Sequence, residues 1–175
     1  DFEGGTSSRG IGKIADMMPT ANEDVGDGID INGTTASGGL SGAVSGGTTG
    51  FHYGKAMDMI EIGIGYAPKG GTTATAGNAT GASGASSVSG FIKIDPMDGL
   101  EIGFGTGEVS ATATGSDNSQ TDDQSTMYVT YVYGPVTVGY QESEVDKFSS
   151  TDDDEATRWG VLYAVNDELS ISYQD

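Results

Sequence analysis

The side chains of this chain that could do chemistry are mostly carboxylates: 26 Asp and Glu stand against seven Lys and Arg, with one histidine, no cysteine and a formal net charge of −19. Without cysteine there is no thiolate nucleophile, no thiolate metal ligand and no disulfide framework. A Ser-His-Asp relay would have to use His52, which sits in an alternating strand pattern with no nucleophile-elbow sequence to serve it. The glycine pairs Gly38-Gly39 and Gly46-Gly47 lack the Lys-Ser/Thr of a phosphate-binding loop and do not lie between a strand and a helix. An acidic balance of this size argues against a nucleic-acid partner, because phosphates are bound through basic patches, and it favours cations as company.

Two acidic stretches invite a metal reading. The run from Glu23, Asp24 and Asp27 through Asp30 mixes carboxylates with glycine, yet no alignment gives the alternating acids and closing glutamate of an EF-hand. Asp152, Asp153, Asp154 and Glu155, like the run from Asp117 to Asp123, read as solvated acidic loop tips. Loosely held calcium, or another divalent cation bridging to anionic lipid headgroups, is the one metal reading they support. No other cofactor is implied and no constellation of residues supports catalysis.

What must position these charges is a repeated unit, one domain over residues 1–175, in which a short alternating strand, a tight turn and a second alternating strand lead into a long Gly/Ser/Thr/Asp loop. A hydrophobic content of 35% and 30 glycines are a poor supply for a dry core. No run approaches the roughly 18 apolar residues of a membrane helix, while an alternating strand can cross a bilayer with one face to lipid and the other to a wet lumen. Strands are expected at Phe51–Met57, Ile60–Ala67, Val88–Asp95, Leu100–Glu108, on both sides of Gly134-Pro135 between Tyr128 and Gln141, and at Arg158–Val165 and Leu169–Tyr173. Turns fall at Met57–Met59, Pro96–Gly99, Gly134-Pro135 and Asn166-Asp167, and long loops at 68–87, 109–125 and 143–157.

The fold class expected is therefore all-β, a transmembrane antiparallel up-and-down β-barrel of which residues 50–175 supply about eight strands. Residues 4–49 carry almost no period-2 signal beyond a helical turn around Ile11 to Met17, ended by Pro19, and would fold into the lumen. Tyr66, Tyr140, Trp159 and Tyr173 fall toward the long-loop ends of strands, and Tyr133 and Phe51 toward the turns, as aromatic girdles would. Glu61, Lys93, Glu101 and Arg158 share the glycine-bearing register and would line the interior. The first residues, Asp1-Phe2-Glu3, and the last strand, Ile171 to Asp175, read as cut from within a longer protein.

The long irregular insertion ending in a Gly/Ser/Thr tract, the following GFHYGKAMDMIEIGIGYAP (Gly50 to Pro68) and the hairpins IDPMDGLEIGFG and VYGPVTVGYQES resemble the general trimeric porins of Gram-negative bacteria, especially those of alphaproteobacteria. The resemblance implies an outer-membrane homotrimer of roughly 16-stranded barrels, in contact with lipid and lipopolysaccharide, through which small hydrophilic solutes and ions diffuse. It also implies that residues 4–49 form a pore-narrowing loop with Glu23, Asp24, Asp27 and Asp30 at the constriction. The alternative is a cell-surface β-barrel or adhesin-like protein that binds through its acidic loops.

Overall fold

In the computed structural model, residues 2–5, 10–14, 17–19, 50–67, 86–112, 119–146, 153–166 and 168–175 are described. Period-2 sequence becomes strand wherever apolar and small or polar residues alternate. The strands are β1 (Phe2–Gly5), β2 (Gly50–Met57), β3 (Ile60–Ala67), β4 (Ser86–Met97), β5 (Leu100–Thr112), β6 (Ser119–Tyr133), β7 (Val136–Asp146), β8 (Asp154–Asn166) and β9 (Leu169–Gln174). They form one antiparallel sheet in which each strand pairs with its neighbour in sequence. Between β1 and β2, a 3₁₀ turn covers Ile11–Ile14, within the stretch from Ile11 to Met17 where a helical turn was expected.

Each hairpin is closed by a tight connection. Asp98-Gly99 follows β4, with Gly99 at φ 77°, and Gly134-Pro135 follows β6, with Gly134 at φ 58°; both need the left-handed conformation that glycine adopts without a Cβ penalty. After β8 the Asn166 side-chain oxygen accepts the Glu168 amide at 2.9 Å, an Asx turn that fixes the reversal. Pro96, expected in the turn, instead sits in β4 where the pairing with β5 slips between Ile94 and Met97, a place where its missing N–H leaves no gap in a regular ladder.

Successive hairpins are displaced in one direction. Ile60, at the turn end of β3, pairs with Ile94, but β4 runs on to Met97; Leu100 pairs with Tyr131, but β6 runs on to Tyr133. A stagger of constant sign tilts strands across a sheet. The sheet does not close on itself: β1 pairs only with β2, and β9 only with β8.

The two faces differ in kind. One carries Phe51, Tyr53, Ile64, Tyr66, Ile102, Phe104, Met127, Val129, Val138, Trp159, Ile171 and Tyr173, all exposed, Ile64 at 52% and Ile171 at 59%. The other is lined by glycines and polar residues and is covered by residues 10–14 and 17–19, the strap. Ile14 packs between Phe91 and Tyr128, and Ile11 against Val145, so the buried apolar contact is a seam between strap and wall.

Three expectations change. A strand, Phe2–Gly5, precedes the irregular stretch, so residues 4 and 5 belong to β1. The segments expected as loops at 109–125 and 143–157 are shorter, because β5 runs to Thr112, β6 starts at Ser119, β7 runs to Asp146 and β8 starts at Asp154. Phe51 pairs with Tyr66 and stands at the long-loop end of β2, away from the turn at Asp58-Met59.

The turn geometry separates two substitutions. Gly134→Ala meets nothing within 4 Å and loses only backbone freedom, so urea unfolding should show a cost of about 1 kcal/mol. Gly99→Ala places its Cβ 2.5 Å from the Val132 carbonyl oxygen and should cost clearly more. Equal costs would show that the contact at Gly99 does not constrain the turn.

Candidate functional site

Strands β3 to β8 each give one residue to a single cross-strand row on the covered face. Glu61 lies opposite Lys93, Lys93 opposite Gly103, Gly103 opposite Tyr128, Tyr128 opposite Gln141, and Gln141 opposite Arg158. Directly opposed side chains in an antiparallel pair are about 5 Å apart at Cβ, so this row brings charges from distant parts of the sequence into contact.

At the β3–β5 end the charges alternate. Lys93 Nζ lies 2.9 Å from Glu101 Oε2 and 3.8 Å from Glu61 Oε2, while the other oxygen of Glu61 is paired with Lys13, delivered by the strap. The Tyr128 hydroxyl donates to Glu101 Oε1 at 2.7 Å. Tyr128 can lie there because its partner is glycine: a Cβ on Gly103 would stand 2.0 Å from the ring. Lys13 Nζ also lies 5.5 Å from the centre of the Phe91 ring, within reach of a cation–π attraction.

The strap is held by polar and steric means together. Gln141, 1% exposed, accepts the Met17 amide at 3.0 Å and donates to the Ile14 carbonyl at 2.9 Å and to Thr126 Oγ1 at 3.0 Å. The Ile11 amide donates to Ser89 Oγ at 3.1 Å, and Gln174 Nε2 donates to the Pro19 carbonyl at 3.3 Å. Underneath, the wall is cut away by glycine. A Cβ on Gly105 would lie 2.9 Å from both Ile11 and Ile14, and one on Gly139 would lie 2.5 Å from Pro19. The strap thus crosses the sheet from β3 to β9.

Of the interior residues expected from sequence, Glu61, Lys93 and Glu101 meet in one string. Arg158 is buried at the far end of the same row, beside Gln141 and apart from that string. His52 is buried on the same face, opposite Gly65. Glu23, Asp24, Asp27 and Asp30 lie outside the described residues, as does Asp152. Asp153 and Glu155 are exposed; Asp154 opens β8, and Glu155, expected at a loop tip, is a strand residue opposite Glu144. Among the described residues, no three His, Cys, Asp or Glu side chains come together as a metal-holding group.

The aromatic residues expected as girdles, Tyr66, Tyr133, Tyr140, Trp159 and Tyr173, lie on the exposed face. Tyr140 is opposite Trp159, whose ring is 5.4 Å from that of Tyr173, and Tyr133 stands at the turn end of β6 opposite Val136. Beyond Tyr140 the same face of β7 continues with Glu142, Glu144 and Asp146, so Tyr140 and Trp159 mark where the apolar band stops.

Lys13, Tyr128 and Gln141 were not singled out by sequence. Gln141 follows the alternation of Gly139 on the polar register, which is a usable signal; Lys13 lies where no periodicity exists. Neither a protein-family model nor a curated protein sequence matches this chain. The class it defines is an all-β, antiparallel up-and-down sheet with no helix among the described residues long and apolar enough to cross a membrane.

If Gln141 holds the strap, Gln141→Leu should lower stability by about 2 kcal/mol through the buried partners it leaves unmatched. Hydrogen exchange should then show the Met17 amide losing protection while the β-ladder amides keep theirs. Retained protection at Met17 would remove Gln141 from this role.

Proposed function

We propose that this chain is the central portion of an outer-membrane porin of a Gram-negative bacterium, a passive diffusion channel for small hydrophilic solutes and ions that leans toward cations. The observation that carries this reading is that the apolar register is the exposed one on β2 to β9, while glycine, amide and charged residues occupy the covered face. In water a continuous apolar surface of this extent would drive association, whereas against lipid tails it is the favourable solvent-facing surface. An adhesin with both faces in water has no use for it.

Further features fit the same reading. The constant stagger between hairpins is what a tilted barrel wall needs, and the edges of β1 and β9 call for further strands, toward the roughly 16 that enclose an aqueous channel. Tyr66, Tyr140, Trp159 and Tyr173 would form the girdle on the long-loop side and Tyr133 the one on the turn side, at the level of headgroups and lipopolysaccharide. Lys55, on the exposed face near the turn end of β2, can extend its ammonium group beyond the apolar band. The strap, lying on the covered face, would narrow the lumen, and residues 20–49 with Glu23, Asp24, Asp27 and Asp30 would continue that narrowing. Assembly as a homotrimer rests on the resemblance alone. The reading includes no catalytic step and no bound cofactor.

Stepwise conductance increments in planar bilayers are the expected result for the full-length protein, and a β-rich, detergent-soluble full-length protein that never conducts would overturn the reading. The lipid-facing surface has a separate test. Phe104→Arg, in the middle of the exposed band, should destabilise the bilayer-inserted fold by about 2–4 kcal/mol. A variant as stable as the parent would mean that this face does not meet lipid.

A further inference from the structure

We infer that Lys13 is a selectivity-determining residue of this channel and that Gln141 is the residue that positions it; the inference rests on the diffusion-channel reading above. The wall by itself has an unequal string of ion-paired charges on β3, β4 and β5, two carboxylates, Glu61 and Glu101, and one ammonium, Lys93, with the Asp95 carboxylate nearby on the same face of β4. Lys93 sits 2.9 Å from Glu101 and 3.8 Å from Glu61, so it is committed mainly to Glu101. Glu61 is matched by a cation that does not belong to the wall. Lys13 comes from the strap and pairs with the oxygen of Glu61 that faces away from Lys93.

The consequence concerns the fixed charge presented to a permeating ion. With Lys13 in place, two cations alternate with two carboxylates and the string is neutral. Without it, one carboxylate faces the lumen unmatched. Fixed charges lining a wet pore act on ions within about a Debye length, roughly 8 Å at physiological salt. Lys13 therefore reduces a cation preference that the wall would otherwise have.

Lys13 owes its place to the strap. Its own side chain gains from Glu61 and from the Phe91 ring, but the backbone on either side is set by Ile11 against Ser89 and by Ile14 and Met17 against Gln141. Because Gly105 leaves room for Ile11 and Ile14, the 3₁₀ turn sits close enough to the wall for the ammonium to reach Glu61. Gln141 touches no permeating ion in this account; it acts through Lys13.

The test is the reversal potential of single channels of the full-length protein in planar bilayers under a KCl gradient. Lys13→Gln should raise the cation-to-anion permeability ratio about twofold, the effect of one unmatched charge about 8 Å away in a water-like medium. Lys13→Arg should keep the parent ratio, and Lys13→Gln combined with Glu61→Gln should restore it. Gln141→Leu should shift the ratio in the same direction as Lys13→Gln.

A parent channel that conducts while Lys13→Gln leaves its reversal potential unchanged overturns the inference and leaves the channel reading standing. A shift in Lys13→Arg as large as in Lys13→Gln would overturn the charge argument. Gln141→Leu channels that change in conductance but not in reversal potential would remove the positioning role. A parent protein that never conducts overturns both the channel reading and this inference.

Discussion

The register of the antiparallel ladder is the constraint on which everything else in this protein depends. Side chains alternate between faces with a period of two, so a slip of one residue in any strand would exchange the two surfaces there. In β3 it would carry Glu61 to the apolar face and Ile62 and Ile64 to the polar one. The register is held at short range by the tight connections: Gly99 and Gly134 in the left-handed region, and Asn166 closing an Asx turn. It is reinforced laterally, because the rows that align Ile60 with Ile94, and Ile94 with Ile102, are the same pairings that bring Glu61 to Lys93.

Glycine serves mainly as space on the covered face. Gly103 accommodates the ring of Tyr128, Gly105 the two isoleucines of the strap, and Gly139 the ring of Pro19. In a soluble sandwich such positions would weaken the core, since small residues leave too little to pack. Here the face is completed by a segment from elsewhere in the chain, and the small cluster of Ile11, Ile14, Phe91, Tyr128 and Val145 forms along that seam. The larger apolar surface is on the exposed face, so the burial pattern is inverted relative to that of a protein whose apolar side chains are gathered into a core.

Much of the sheet was legible in the sequence where the alternation is sharp. Ile60–Ala67 was expected with the bounds that β3 shows, and the turn before it lies at Asp58-Met59, within the expected Met57–Met59. The expectation failed at the long-loop ends. Beyond Thr106, Ser125, Tyr140 and Trp159 the exposed face turns polar and the covered face is mixed, so the period fades from the sequence although backbone pairing continues from Glu144 to Glu155 and from Glu108 to Asp123. Hydrogen bonds of the ladder do not depend on which side chains flank them. The short strand Phe2–Gly5 escaped notice for a related reason: four residues carry too little period to register, and β1 exists because β2 offers it an edge.

The sequence by itself determined the alternation, and with it the division into an apolar and a glycine-rich polar face, because side-chain direction in a strand is a local property with a period of two. It also placed Glu61, Lys93 and Glu101 on one face, since they share that period. Only the tertiary structure decided that Lys13 completes their charge, that Gln141 holds both the Ile14 carbonyl and the Met17 amide, and that Arg158 stands apart beside Gln141. The contacts of the strap with Gln141 join residues more than a hundred positions apart, and Lys13 comes from a segment without periodicity. They are set by how an irregular strap finds the hollows that glycine leaves in a wall.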